Sequence, residues 1–133
     1  MNKKTIEKIK TIAGFMGWEK SPYPNLPNKM YRNNLTKGIS IDQFEYHKSW
    51  NALMPVVEKI ETLFNDGILV IIKDQRCYIE VDTQRALVEE IIIPENFYSG
   101  FSDTKFKAVY STVTEFLAWY NSRPKTKTNE QTN

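Results

Sequence analysis

The stretch YHKSWNALMPVVEKIE, residues 46–61, contains the chain's only histidine together with a tryptophan, a serine and a proline. His47 could move a proton near neutral pH, with Glu45, Tyr46 or Ser49 orienting it or acting beside it. Sequence neighbours, however, do not line up as a triad, whose members normally come from separate segments. With one histidine and one cysteine, Cys77, a His/Cys metal site is not available. Asp42 and Glu45 are near each other, but no loop with cation-ligand spacing accompanies them. A structural role explains more of the residues. Tyr46 and Trp50 would pack the start of a helix, and Ser49 would cap it. Pro55 would either kink that helix on its outer side or lie in the first turn of its straight part. His47 is then a partly exposed hydrogen-bonding residue. No catalytic residue, metal or cofactor is assigned, and the chain is expected not to be an enzyme.

The elements that must position these residues follow from periodicity. Ile6, Ile9, Ile12 or Ala13, and Met16 predict a short N-terminal helix capped by Thr5 and loosening at Gly14 and Gly17. SPYPNLPN, with three prolines in eight residues, is a loop. Residues 29–46 read as one or two irregular strands. Trp50, Leu53, Met54, Val57, Ile60 and Phe64 form one apolar face of a long helix, about 49–65. Asn65-Asp66-Gly67 stops it, with Gly67 supplying a left-handed conformation. ILVIIK, from Ile68, reads as a strand buried on both faces. Asp74-Gln75 turns it into RCYIEV, giving a hairpin over 68–81. Residues 84–93 suit a third strand, although their first half would tolerate a helix. Pro94 to Gly100 is a loop. Ser102 or Asp103 caps the last helix, about 103–122, whose face is Phe106, Val109, Tyr110, Val113, Phe116, Leu117 and Tyr120. Arg123 precedes a proline and ends it.

These pieces predict one α+β domain over residues 1–123. A small antiparallel sheet, the hairpin plus one or two further strands, packs against the two long helices and the short N-terminal one. Residues 124–133 contain no apolar side chain and should form a disordered polar tail.

Composition narrows the function classes. A chain of 133 residues with 41% apolar and 26% charged residues can bury a core unaided. A single cysteine permits no intrachain disulfide, no apolar run suits a bilayer, and no signal peptide is visible, so a soluble cytoplasmic protein is expected. Net charge is +2, with both ends basic and the middle acidic. That excess is weaker than a nucleic-acid binder usually carries.

Three patches, FMGW at 15–18, YHKSWNALMPVVEKIE at 46–61 and AVYSTVTEFLAWYN at 108–121, resemble a group of small proteins of bacteriophages, prophages and Bacteroidetes-type genomes. Where that group reads Tyr-His-x-Ser-Trp-Asp-Trp-Leu-Met-Pro, this chain has Asn51 and Ala52. No activity comes with the resemblance. It implies a phage- or mobile-element-linked protein in the host cytoplasm.

Two functions from different classes fit. The first is an interaction module that binds a host protein through Phe97, Tyr98 and Phe101, since interface cores favour such aromatics. Phe101 is expected to fold back as a buried staple, leaving Tyr98 exposed. The second is a small-ligand or signalling-nucleotide binder using Arg32, Lys37 and His47 with aromatic stacking. A nucleic-acid accessory role through the basic ends ranks behind both.

Overall fold

In a computed structural model the described residues are 2–32, 38–82 and 97–123. They are α+β, with two small antiparallel sheets of three strands each. The expected third strand within 84–93 and the tail at 124–133 lie outside the described residues. The chain forms two compact units, Met1–Val56 and Val57–Asn133.

In the first unit, helix α1 (Lys3–Phe15) buries Ile9, Ile12 and Ala13. Its cap is Asn2 rather than Thr5: the Asn2 side-chain Oδ1 accepts from the Thr5 N–H at 2.8 Å. The helix ends in a Schellman motif. The Trp18 N–H donates to the Ala13 carbonyl (2.9 Å) and the Gly17 N–H to that of Gly14 (3.1 Å). Gly17 sits at φ +101°, backbone that only glycine adopts freely. Strands β1 (Glu19–Lys20), β2 (Lys29–Tyr31) and β3 (Ile39–Ser40) form the first sheet, with β2 central and Met30 buried. A 3-10 turn, Ile41–Gln43, packs Ile41 towards α1.

Helix α2 (Trp50–Glu61) begins in this unit. Leu53 and Val56 are fully buried, but Trp50 is 38% exposed, so it does not seal the start of the helix as expected. Only a single turn precedes it, in which the Lys48 and Ser49 N–H groups donate to the Glu45 carbonyl. Pro55 is neither a first-turn residue nor the end of the helix, which continues through it. The expected single helix to residue 65 is instead broken at Thr62 into α2 and a one-turn helix, α3 (Leu63–Asp66). Phe64 (φ +53°) and Asp66 (φ +58°) take the left-handed backbone there, and Gly67 does not. A left-handed phenylalanine costs about 1–3 kcal/mol. Burial of its ring against Trp119 and Tyr120 offsets that cost.

The second unit is built on the expected hairpin, β4 (Ile68–Lys73) and β5 (Arg76–Val81), closed by Asp74-Gln75 with Asp74 at φ +55°. Burial alternates over Ile68, Leu69 and Val70 and is intermediate at Ile71 and Ile72; with Leu69 53% exposed, the strand is half-buried rather than covered on both faces. Ile68 and Val70 of β4 and Cys77 and Ile79 of β5 are the hairpin's buried side chains. The residues Phe97–Phe101, expected to be loop, form a third strand, β6, antiparallel to β5. A one-residue bulge lies between the Tyr78–Tyr98 and Arg76–Phe101 pairs, with Gly100 at φ +76°. Phe101 is therefore not a buried staple. It pairs with outward-facing Arg76 and is 68% exposed, its ring 5.9 Å from the Arg76 guanidinium.

Helix α4 (Lys105–Ser122) packs against this sheet. Its cap is Thr104 rather than Ser102 or Asp103, accepting from the Lys107 N–H at 3.1 Å. Asp103 pairs instead with Lys107 (2.9 Å). Val109, Val113, Phe116 and Leu117 are buried, and Thr112 donates to the Cys77 carbonyl at 3.0 Å, fixing helix to strand.

Leu53→Ala should therefore destabilise the fold by about 2–5 kcal/mol. Trp50→Ala should cost about 2 kcal/mol or less, since much of its ring already faces water. Denaturant unfolding of the two variants decides the order.

Candidate ligand cleft

The Schellman turn that ends α1 delivers three groups to one place: the Met16 carbonyl, the bare Cα of Gly17 and the Trp18 ring. Arg32, just beyond β2, lies across all three. Its Nη2 donates to the Met16 carbonyl. Its guanidinium lies 5.1 Å from the centre of the Trp18 ring, a cation–π contact. A Cβ added at Gly17 would come within 3.3 Å of Nη2. Sequence distance hides this arrangement, but each part has a local cause. The guanidinium also suits the negative end of the α1 dipole.

Arg32 lines an open cleft of about 510 Å³ in the first unit. Phe44 and Tyr46 are buried residues of its lining, stacked with ring centres 5.6 Å apart. Phe44 also meets Trp18 edge-on at 5.2 Å. The first two turns of α2 supply Asn51, Ala52 and Pro55, and Gln43, Glu45 and Ser49 complete the polar lining. Among the described residues, no carboxylate lies within ion-pair distance of Arg32, although Glu45 shares the cleft.

The charged lining residues are one cation, Arg32, and one carboxylate, Glu45, beside neutral donors. Burial pushes the Tyr46 phenol up, against the pull of the Arg32 charge, so at neutral pH it remains an O–H donor. Gln43 uses its carbonyl oxygen to accept from the Ser40 N–H (3.0 Å), which leaves its NH₂ as a donor. Among the described residues no group of three or more His, Cys, Asp and Glu side chains could hold a metal ion.

The residues singled out by sequence fare differently. Arg32 is in the cleft. His47 is not among its lining residues, although Tyr46 and Ser49 on either side are. Its Nδ1 is buried and has no hydrogen-bond partner among the described residues. Lys37 lies outside the described residues. Phe97 and Tyr98 stand in β6 opposite Ile79 and Tyr78, and Phe101 is exposed on the same strand. Sequence reading missed Trp18, Phe44 and Asn51 as a set. The available signal was a glycine three residues after Gly14 at the end of an amphipathic helix, which marks a Schellman turn and places Trp18 just beyond it. Cys77 is buried and its thiol pushed up by desolvation, as an inert core thiol should be.

Comparison with family models, with curated proteins and with solved structures finds no match to this chain. Among the described residues no helix is long and apolar enough to cross a membrane.

Gly17→Ala forces a side chain into left-handed backbone and against Arg32. It should lower the melting temperature and loosen Arg32 from Trp18, visible as a change in tryptophan fluorescence. His47 gives a pH test. Burial first, and then the Lys48 charge, lower its pKa from the ordinary 6.5, with Glu45 opposing. Below that value the unfolded chain binds the proton more readily, so stability present above about pH 6.5 is lost as pH falls through the folded pKa. His47→Gln should flatten that part of the stability profile, measured by melts between about pH 8 and pH 5.

Proposed function

We propose that the chain is a small-ligand-binding protein whose cleft takes an anionic compound bearing a flat ring, of the nucleotide type. One observation carries the reading: a guanidinium clamped by Met16, Gly17 and Trp18, with no carboxylate partner among the described residues, opening onto a cleft lined by aromatic rings. An unneutralised, pre-positioned arginine pairs with phosphate or carboxylate through charge-assisted bonds. The cleft volume of about 510 Å³ is in the range of small-ligand sites. The Tyr46 hydroxyl and the Gln43 amide are further donors for the same anion. A sponge sequesters its nucleotide by binding alone, without chemistry.

Titration calorimetry of the full chain with adenosine 5′-monophosphate and with adenosine tests this. The phosphate should be required, and binding should weaken with added salt. Arg32→Lys keeps the charge but loses the planar fork, and should weaken binding at least about tenfold. Equal binding of adenosine and its monophosphate would defeat the reading.

A second reading has its own observation. Phe101 and Leu69 are large apolar side chains exposed in the second unit. An exposed ring steadied by an arginine is the kind of anchor that interfaces use, and supports binding of a host macromolecule through β6. On that reading, Phe101→Ala and Tyr98→Ala weaken capture of the partner without lowering the melting temperature.

A further inference from the structure

Arg32 and Glu45 are the charged side chains of the cleft, and they do not pair with each other. The Tyr46 hydroxyl belongs with Arg32. Tyr46 is 8% exposed and its hydroxyl has no hydrogen-bond partner among the described residues, yet it is not one of the enclosed, unpartnered polar atoms. The hydroxyl therefore reaches water, at the cleft that Tyr46 lines. Glu45 differs from the rest of the lining. Gln43, Tyr46, Ser49 and Asn51 can each donate as well as accept, whereas a carboxylate only accepts. Its backbone is held by the turn before α2, where its carbonyl accepts from the Lys48 N–H at 3.0 Å and the Ser49 N–H at 2.9 Å. Its side chain is exposed, with no ion pair or hydrogen bond among the described residues. Such a group repels an anionic ligand unless the ligand also brings donors to it.

We infer that the ring of the ligand is a guanine-type base, read by the Glu45 carboxylate. The inference rests on the nucleotide-type reading of the cleft and names the base within it. Guanine carries two donors side by side, N1–H and the 2-amino group, and the two oxygens of a carboxylate accept both. Glu45 is then satisfied by the base while Arg32 and Tyr46 take the phosphate. The two charges of the cleft thus address opposite ends of one ligand. Adenine sets an acceptor nitrogen beside its amine, and against a carboxylate that nitrogen meets a second acceptor and no hydrogen. Glu45 is therefore the specificity-determining residue for the base.

Titration calorimetry on the full chain compares guanosine, inosine and adenosine 5′-monophosphates. Sugar and phosphate are constant, and inosine keeps N1–H but lacks the 2-amino group. The guanosine compound should bind at least about tenfold more tightly than the adenosine compound, the scale of hydrogen bonds to a charged group, with the inosine compound between them. Glu45→Gln removes the charge at nearly constant shape and should remove most of that preference. A Glu45 of merely structural importance would lower the melting temperature or weaken all three compounds alike when replaced, leaving their order unchanged; that result overturns the inference. So does a wild-type protein that binds the guanosine compound no more tightly than the adenosine one, although the anion reading then stands. If none of the three binds, the anion reading falls and takes this inference with it.

Discussion

The contact between Arg32 and the end of α1 is the constraint on which the first unit depends. An α-helix leaves its last carbonyls without donors, and these must be satisfied or solvated. Here the Schellman bonds of Gly17 and Trp18 satisfy two, and the Arg32 guanidinium takes that of Met16. The same contact ties the chain beyond β2 to α1, since residue 32 can reach residue 16 only if the strand runs back past the turn. It also fixes the Trp18 ring, which in turn meets Phe44 and, through Phe44, Tyr46. One side chain thereby sets helix end, strand position and aromatic lining together. A lysine could supply the charge, but not the plane that lies on both Trp18 and Gly17.

Much of the fold was legible because its causes are local. Ile9, Ile12 and Ala13 fall at helical spacing and are buried; so are Val109, Val113, Phe116 and Leu117. Asp74-Gln75 between two β-prone runs gave the hairpin and its register. The misreadings share a different cause. Phe97–Phe101 has a glycine beside three aromatics and looks like a turn, yet it is a strand because β5 offers it an edge and Gly100 absorbs the bulge. Trp50 keeps the phase of the apolar face, but phase says nothing about whether a neighbour covers the first turn. The run from Ile68 to Ile72 is apolar throughout, and only pairing and the placement of α4 decide which of its faces is covered.

The cleft was harder to foresee than the fold. Arg32 was singled out by residue type alone, and nothing in its surroundings announces the Trp18 ring or the Met16 carbonyl. His47 drew attention because it is chemically versatile, yet its ring is partly buried and its pKa lowered. That is the behaviour of a histidine held neutral by packing. The residues that do line the cleft, Tyr46, Ser49, Asn51 and Pro55, share that stretch with residues that pack the core, Leu53 and Val56. Helical phase separates the two sets. The same segment therefore serves as structural seam and as cleft wall.

Three arginines lie over aromatic rings among the described residues, and comparing them separates packing from binding. Arg123 lies 3.8 Å from the centre of the Tyr120 ring and donates to the Tyr120 carbonyl. It follows Ser122 in extended backbone, as the residue before a proline should, so it closes the end of α4. Arg76 lies over Phe101 on an exposed strand pair, where water screens its charge. Arg32 shares the carbonyl bond of the first and the ring contact of the second. Capping a helix therefore does not by itself distinguish it. What distinguishes it is that Arg32 lines a cleft whose other side chains include a buried phenol and stacked rings. A capped helix end needs only one of the donors on a guanidinium. The charge left over, in partly desolvated surroundings, is what an anion would neutralise.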